Sequence, residues 1–354
     1  MHGNILYQKE MKNIYYKIQV LIIAISSAAL MFAGCSDKEL AFTPEDNNIP
    51  VETDGGYLWA FMTNNKYGRL FYALSRDGFN WETLNRNHII DPQYIGHPDI
   101  CKGRDGAYYM LAVQPFALWR SEDLVSWTKT ELDEDILNRS NSMGLYVTYY
   151  LGAPKMFYDE DSDQYIITWH ACQNPDYDDW TTMSTLYVLT KDFENYTEPK
   201  KLFAFTGESE NMPTIDVIIR KIDGKYYALY KDERSQEIAP LTGKTIRMSV
   251  SDNLTGPYSN PGEPLTPNDN NREAPILVER PAGAGWALYA EICEGSPLGY
   301  SLFISPTIDG TWSERTFHGP NVKDGTSRPG ARHGCIVKIP ETTYKALESA
   351  YGNK

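Results

Sequence analysis

The chain is poor in everything that would tie it together covalently or hold it on a polyanion. Its 354 residues include five cysteines, with no Cys-x-x-Cys pair and no His/Cys spacing suited to zinc. A zinc module and a disulfide-framed miniprotein are excluded. Cys101, Cys172, Cys293 and Cys335 lie in or beside apolar strand-like runs and read as buried thiols. Basic charge is also short, 33 Lys and Arg against 47 Asp and Glu, for a net charge of −14. An acidic surface argues against nucleic acid and polyanionic partners and leaves neutral glycans compatible. No segment beyond the N-terminal region carries a long apolar pattern of helical period, so the interior is expected to be β throughout.

One apolar stretch does stand out, Val20 to Ala33, preceded by Lys12 and Lys17 and ending in small residues before Cys35. It is too short for a comfortable membrane span and reads as a secretory signal over residues 1–34, with Met11 the more natural start. Leu30-Met31-Phe32-Ala33-Gly34-Cys35 resembles the bacterial lipoprotein processing site. That resemblance implies lipidation of Cys35, a polar tether over 35–52, and an exported protein anchored to the outer membrane, facing either the periplasm or the medium. Ser36-Asp37-Lys38-Glu39 is similar to the acidic export tags of Bacteroidetes-type surface lipoproteins. Residues 53–354 remain for one large domain, read as a monomer.

That domain repeats. Gly96-His97-Pro98-Asp99, Gly152-Ala153-Pro154-Lys155, Thr214-Ile215-Asp216, Arg272-Glu273-Ala274-Pro275 and Arg332-His333-Gly334 begin 56 to 62 residues apart, each opening a run of strand formers. A unit of this kind cannot bury its own apolar face, so neighbours must stack around an axis. Five units predict an all-β, five-bladed propeller. The N-terminal strands near Tyr57–Met62 lack a motif and the C-terminal Arg332–Ile339 has little else, so the two ends are expected to share one blade and close the ring.

Three of the motifs carry a carboxylate, which places Asp99, Asp216 and Glu273 as candidates around one central pocket. Asp216 interrupts the apolar run Ile215–Ile219, where an acid is unfavourable without a partner or a function. A pair of acids across a pocket is what glycoside hydrolysis needs.

Ile215-Asp216 ahead of Asp223-Gly224-Lys225-Tyr226-Tyr227, Glu273-Ala274-Pro275 in its strand context, and the closing Arg332-His333-Gly334 together resemble glycoside hydrolase family 43 and its near relatives, from about Tyr57 to Leu347. The resemblance implies Glu273 as general acid and Asp216 as the residue that tunes and orients it, raising its pKa. Either Asp99 or His97 then fills the base position: alternation puts both on one face, and a one-residue bulge would bring Asp99 to the axis. In related enzymes a histidine near the axis helps hold a central ion, commonly calcium, or its water shell, which makes His333 the candidate metal ligand. No cofactor is otherwise required. His97, His170, Lys231, Glu233, Arg247, Arg332 and His333 are the candidate sugar contacts. The expected activity is inverting hydrolysis of an arabinofuranoside, xyloside or galactofuranoside in a plant or microbial oligosaccharide or polysaccharide, the alternative being a surface glycan-binding propeller without hydrolysis.

Overall fold

The computed structural model describes residues 49–147, 152–294, 298–322, 325 and 330–353. The signal, Cys35 and the tether up to residue 48 lie outside the described residues. From Pro50 onward the chain forms one unit of five antiparallel sheets.

One sheet is built from both ends of the unit. β1 (Gly55–Thr63), β2 (Phe71–Ser75) and β3 (Glu82–Thr83) follow in order, and the last strand, β19 (Ala331–Pro340), lies on the inner side of β1. The next blade is β4 (Cys101–Lys102), β5 (Tyr108–Val113), β6 (Phe116–Ser121) and β7 (Thr128–Glu131). β8 (Lys155–Asp159), β9 (Gln164–Ala171), β10 (Ser184–Thr190) and β11 (Lys200–Lys201) make the third. The fourth has three strands, β12 (Thr214–Ile222), β13 (Lys225–Asp232) and β14 (Ile246–Ser251). β15 (Arg272–Glu279), β16 (Trp286–Ile292), β17 (Gly299–Ser305) and β18 (Ser313–Arg315) complete the fifth. The expected five-bladed propeller, closed by its two ends, is the architecture observed.

The core lies between blades, and strand alternation explains why. On β5, Tyr108 and Met110 pack toward Leu58 and Tyr72 of the first blade, while Tyr109 and Leu111 pack toward Ile167 and Leu186 of the third. Each face of a sheet therefore serves a different neighbour, so both faces must be apolar. Val217 and Tyr230 repeat the pattern against Ile166 and Tyr187, and Ile218 and Leu229 do so against Leu277 and Leu288. The seam between the fifth and first blades is aromatic, with Trp59 at 5.0–5.3 Å from the rings of Trp81, Tyr289 and Tyr300.

The recurring turn phrases share one device. Asp77, Asp123 and Asp192 each accept backbone N–H bonds from the residues two and three further on, at 2.7–2.9 Å. The aromatic residue that ends each turn, Trp81, Trp127 or Tyr196, is then carried back onto the blades.

The structure departs from an all-strand interior at its end. Glu341–Tyr351 is a helix whose Tyr344 and Leu347 are buried against the first blade. Three of its eleven residues are buried, too few for the apolar period to show in the sequence. Gly56 makes the docking possible, because a Cβ there would lie 2.6 Å from the Tyr344 ring.

Candidate active site

The inner strands begin irregularly, and the irregularities place the chemistry. Pairing breaks between Ile215 and Ile218 on β12, between Glu273 and Ile276 on β15, and opposite His333 on β19. Asp216, Ala274 and His333 sit at these breaks with φ of 55°, 44° and 32°. Non-glycine residues adopt such values at a cost of about 1–3 kcal/mol, sustained only where surrounding contacts over-determine them. The contacts that do so here are carboxylates. Asp216 Oδ2 accepts the Ala274 N–H at 3.1 Å, and Glu291 Oε2 accepts the His333 N–H at 2.7 Å. In each case an acid on one blade pins the first turn of the next inner strand.

A cavity of about 440 Å³ opens at this end of the propeller. His97, His170, Asp216, Lys231, Glu233, Glu273, Arg332 and His333 all line it, as the sequence leads one to expect. Two expected residues do not. Asp99 is buried outside the cavity, its Oδ2 accepting the Met156 N–H at 3.0 Å. It performs the same pinning between the second and third blades that Asp216 performs between the fourth and fifth. Residues Gly96 to Ile100 are not in a strand, so the alternation that put His97 and Asp99 on one face does not apply, and no bulge brings Asp99 inward. Arg247 is also outside the cavity: it lies on β14, the outermost strand of its blade, and pairs with the fully buried Asp232 at 3.2 Å while donating to Gly262 O at 2.7 Å. The charge of Asp232 and that carbonyl hold its guanidinium away from the axis.

Glu273 is gripped on both oxygens, with Lys231 Nζ at 2.9 Å from Oε2 and Arg332 Nη2 at 2.9 Å from Oε1. Burial would raise its carboxyl, but Lys231 and Arg332 outweigh it and hold the group down at about 2. This corrects the expectation that Asp216 keeps Glu273 protonated. The effect runs the other way. Burial and then the Glu273 charge push Asp216 up to about 6. Lys231 is shared with Glu233, 2.8 Å away, and Glu233 is in turn bridged by Lys244. The His97 and His333 rings stack at 4.4 Å, and burial together with the surrounding positive groups holds both well below the ordinary histidine value. Both are neutral imidazoles.

Sequence reasoning missed Glu291, which is fully buried on β16. Its Oε1 takes the Arg332 Nε–H, and burial followed by the Glu273 charge raises it to about 8. The signal that identified Asp216, an acid inside an apolar run, was present in Leu288-Tyr289-Ala290-Glu291-Ile292. Trp180, 46% exposed, and Asp178 line the cavity from the β9–β10 loop, and Tyr67 from the β1–β2 turn. Nothing in those loop sequences marks them.

Glu273, Glu291 and His333 lie close enough to share a cation, their ligand atoms all within 4.8 Å of one another. The donor set does not fit calcium, which takes about six to eight oxygen ligands. Arg332 already bridges the two carboxylates, and what His333 still offers is Nδ1, a nitrogen without a hydrogen-bond partner among the described residues.

A family model described as "Probable glycosyl hydrolase domain", of the group related to glycoside hydrolase family 43, matches residues 106–345. An α-L-arabinofuranosidase of Bifidobacterium longum subsp. longum is 29% identical over 351 residues, 84% of this chain and 32% of that protein. The chain thus spans about a third of the length of that curated relative. Among solved structures, an α-L-arabinofuranosidase from Lactobacillus brevis is similar at 14% identity, with 62% of this chain and 72% of that chain covered and a TM-score of 0.47. A family 43 glycoside hydrolase from Bacillus licheniformis is similar at 16% identity, with 68% and 60% covered and a TM-score of 0.46. With five blades, a carboxylate-lined cavity at the inner strands and a family match over most of its length, the chain belongs to the family 43-related glycosyl hydrolases.

Proposed function

We propose that this protein is a glycosidase that releases an α-L-arabinofuranosyl or similarly shaped terminal sugar from a neutral glycan by single displacement, with Glu273 as the reacting acid. The observation that carries the reading is a pair of buried carboxyls lining one cavity, Glu273 held between the Lys231 and Arg332 cations and Asp216 bound to the Ala274 N–H, with Asp216 the later of the two to lose its proton. In the empty cavity Lys231 and Arg332 keep Glu273 ionised. Sugar hydroxyls that draw those two cations toward themselves weaken their hold on the carboxylate, and its pKa rises toward protonation. Asp216, still protonated up to about pH 6, is the nearby proton source. Glu273 then protonates the glycosidic oxygen as the bond to the anomeric carbon breaks.

His97 replaces Asp99 at the base position in this reading. It lines the cavity as a neutral imidazole, so a ring nitrogen can take the proton of the attacking water. Trp180 offers an exposed apolar face against which a sugar ring can lie. The arabinofuranosyl preference rests on the Bifidobacterium relative. Anchoring through Cys35 belongs to the same proposal, on sequence grounds, and Cys35→Ala should move the protein from the membrane fraction to the soluble one.

The test is product release from arabinofuranosides and xylosides by the wild type and Glu273→Gln, with the anomeric form of the first product followed by NMR. Release of the inverted anomer, lost in Glu273→Gln, supports the reading. Release of the retained anomer overturns single displacement.

A further inference from the structure

A second depression, about 610 Å³, adjoins the cavity and shares Asn271 and Glu294 with it. Its wall comes from the β13–β14 loop, from the segment leading into β15 and, through Glu294, from the end of β16, and among the described residues it contains no hydrophobic side chain: Ser235, Gln236, Glu237, Lys244, Asp269 and Asn270 complete the lining. Amides, a hydroxyl and carboxylates suit the hydroxyl groups of a sugar chain. Its ionisable groups are mostly acidic, and its lysine, Lys244, is already bridged to Glu233. A uronic acid or sulfated chain would be repelled.

Asn271 stands at the junction. Its Nδ2 donates to Glu294 Oε1 at 3.0 Å, while its buried Oδ1 has no hydrogen-bond partner among the described residues. An unmet buried acceptor is costly, and a donor arriving with a ligand removes that cost. The cavity, at 440 Å³, has room for a terminal sugar and part of its neighbour, so a longer chain must leave it somewhere.

We infer that the groove beyond Asn271 binds the continuing chain of a neutral polysaccharide, on the leaving-group side of the bond that is cut. This rests on the proposed hydrolysis. The enzyme then prefers long neutral chains over small glycosides, and Asn271 carries a hydrogen bond from a sugar hydroxyl at the point where the chain passes from cavity to groove.

The test compares kcat/KM for 4-nitrophenyl α-L-arabinofuranoside with kcat/KM for linear α-1,5-arabino-oligosaccharides of two to five units, in the wild type, Asn270→Trp and Glu237→Ala. Wild-type kcat/KM should climb at least tenfold from the disaccharide to the pentasaccharide. Asn270→Trp fills the groove and should flatten that climb to within about threefold; Glu237→Ala, which adds no bulk, should reduce it and serves if the larger residue disturbs folding. A flat length dependence in the wild type, or the same climb in both variants, overturns the inference. If no arabinoside is cleaved at all, the proposed substrate has failed first. Calorimetric titration of Glu273→Gln with the pentasaccharide and with a neutral xylo-oligosaccharide of equal length then decides the groove alone: length-dependent binding of either supports it, and binding of neither overturns it.

Discussion

Glu273 and Glu291 stand directly opposite each other on neighbouring antiparallel strands, and a single guanidinium, that of Arg332, joins both. Like charges in that position repel, so the pair persists only because Arg332 lies between them and Glu291 holds its proton. Glu291→Ala should leave Arg332 with a buried, half-met charge and the His333 N–H without its acceptor. A loss of about 3–5 kcal/mol is expected, readable in urea unfolding.

The same cluster gives stability a pH dependence of definite sign. Glu291 is raised from 4.5 to about 8 and Asp216 from 3.8 to about 6, so the folded protein binds more protons than the unfolded chain across those intervals. Stability therefore falls as pH rises through them. Glu273, lowered from 4.5 to about 2, acts in the opposite sense and loses its contribution as pH drops below its unfolded value. Urea unfolding between pH 6.5 and 8.5 should show a decline in the wild type that is largely absent in Glu291→Gln.

Glu273→Gln should lower kcat by about 10²–10⁴-fold on substrates with poor leaving groups. Activated aryl glycosides should suffer less, because their leaving group needs little protonation. An equal loss on both would point to misfolding or to another role.

Asp99 and His97 are separable. Asp99→Ala should cost about 1.5–3 kcal/mol of stability, through loss of the charged bond to Met156 N, with kcat within a few-fold of wild type. His97→Ala should reduce kcat by about two orders of magnitude or more if its ring takes the water proton. Rates measured well below each variant's melting temperature distinguish the two effects.

Trp180→Ala should raise KM while leaving kcat little changed, and Trp180→Phe should recover most of the loss. Steady-state kinetics on one oligosaccharide decide it.

Much of this was legible from periodicity alone. Five evenly spaced motifs mark the blades, the acid inside the apolar run Ile215–Ile219 marks Asp216, and the Glu273-Ala274-Pro275 resemblance to family 43 marks Glu273. Asp99 shares the motif carboxylate signal but not its consequence, because Gly96–Ile100 is not a strand and neither alternation nor a bulge turns that side chain to the axis. The protonation of Glu273 was misjudged because its partners, Lys231 and Arg332, are 42 and 59 residues away, and only the assembled ring brings them to either oxygen. Glu291 hid inside a good strand, its role fixed by a residue on another blade.

Arg332 and His333 are delivered to the cavity by β19, which pairs along its whole length with β1, from Gly55–Pro340 to Thr63–Ala331. During folding the second to fifth blades can stack while Glu273 and Glu291 still face each other without their shared cation. Two abutting acids at the rim of an open ring make the nearly finished molecule ill at ease, and the arrival of the last strand relieves that tension. Closure of the ring and completion of the charge set around Glu273 are then one event, so a chain shortened to end before Ala331 keeps both carboxyls yet lacks the guanidinium that joins them.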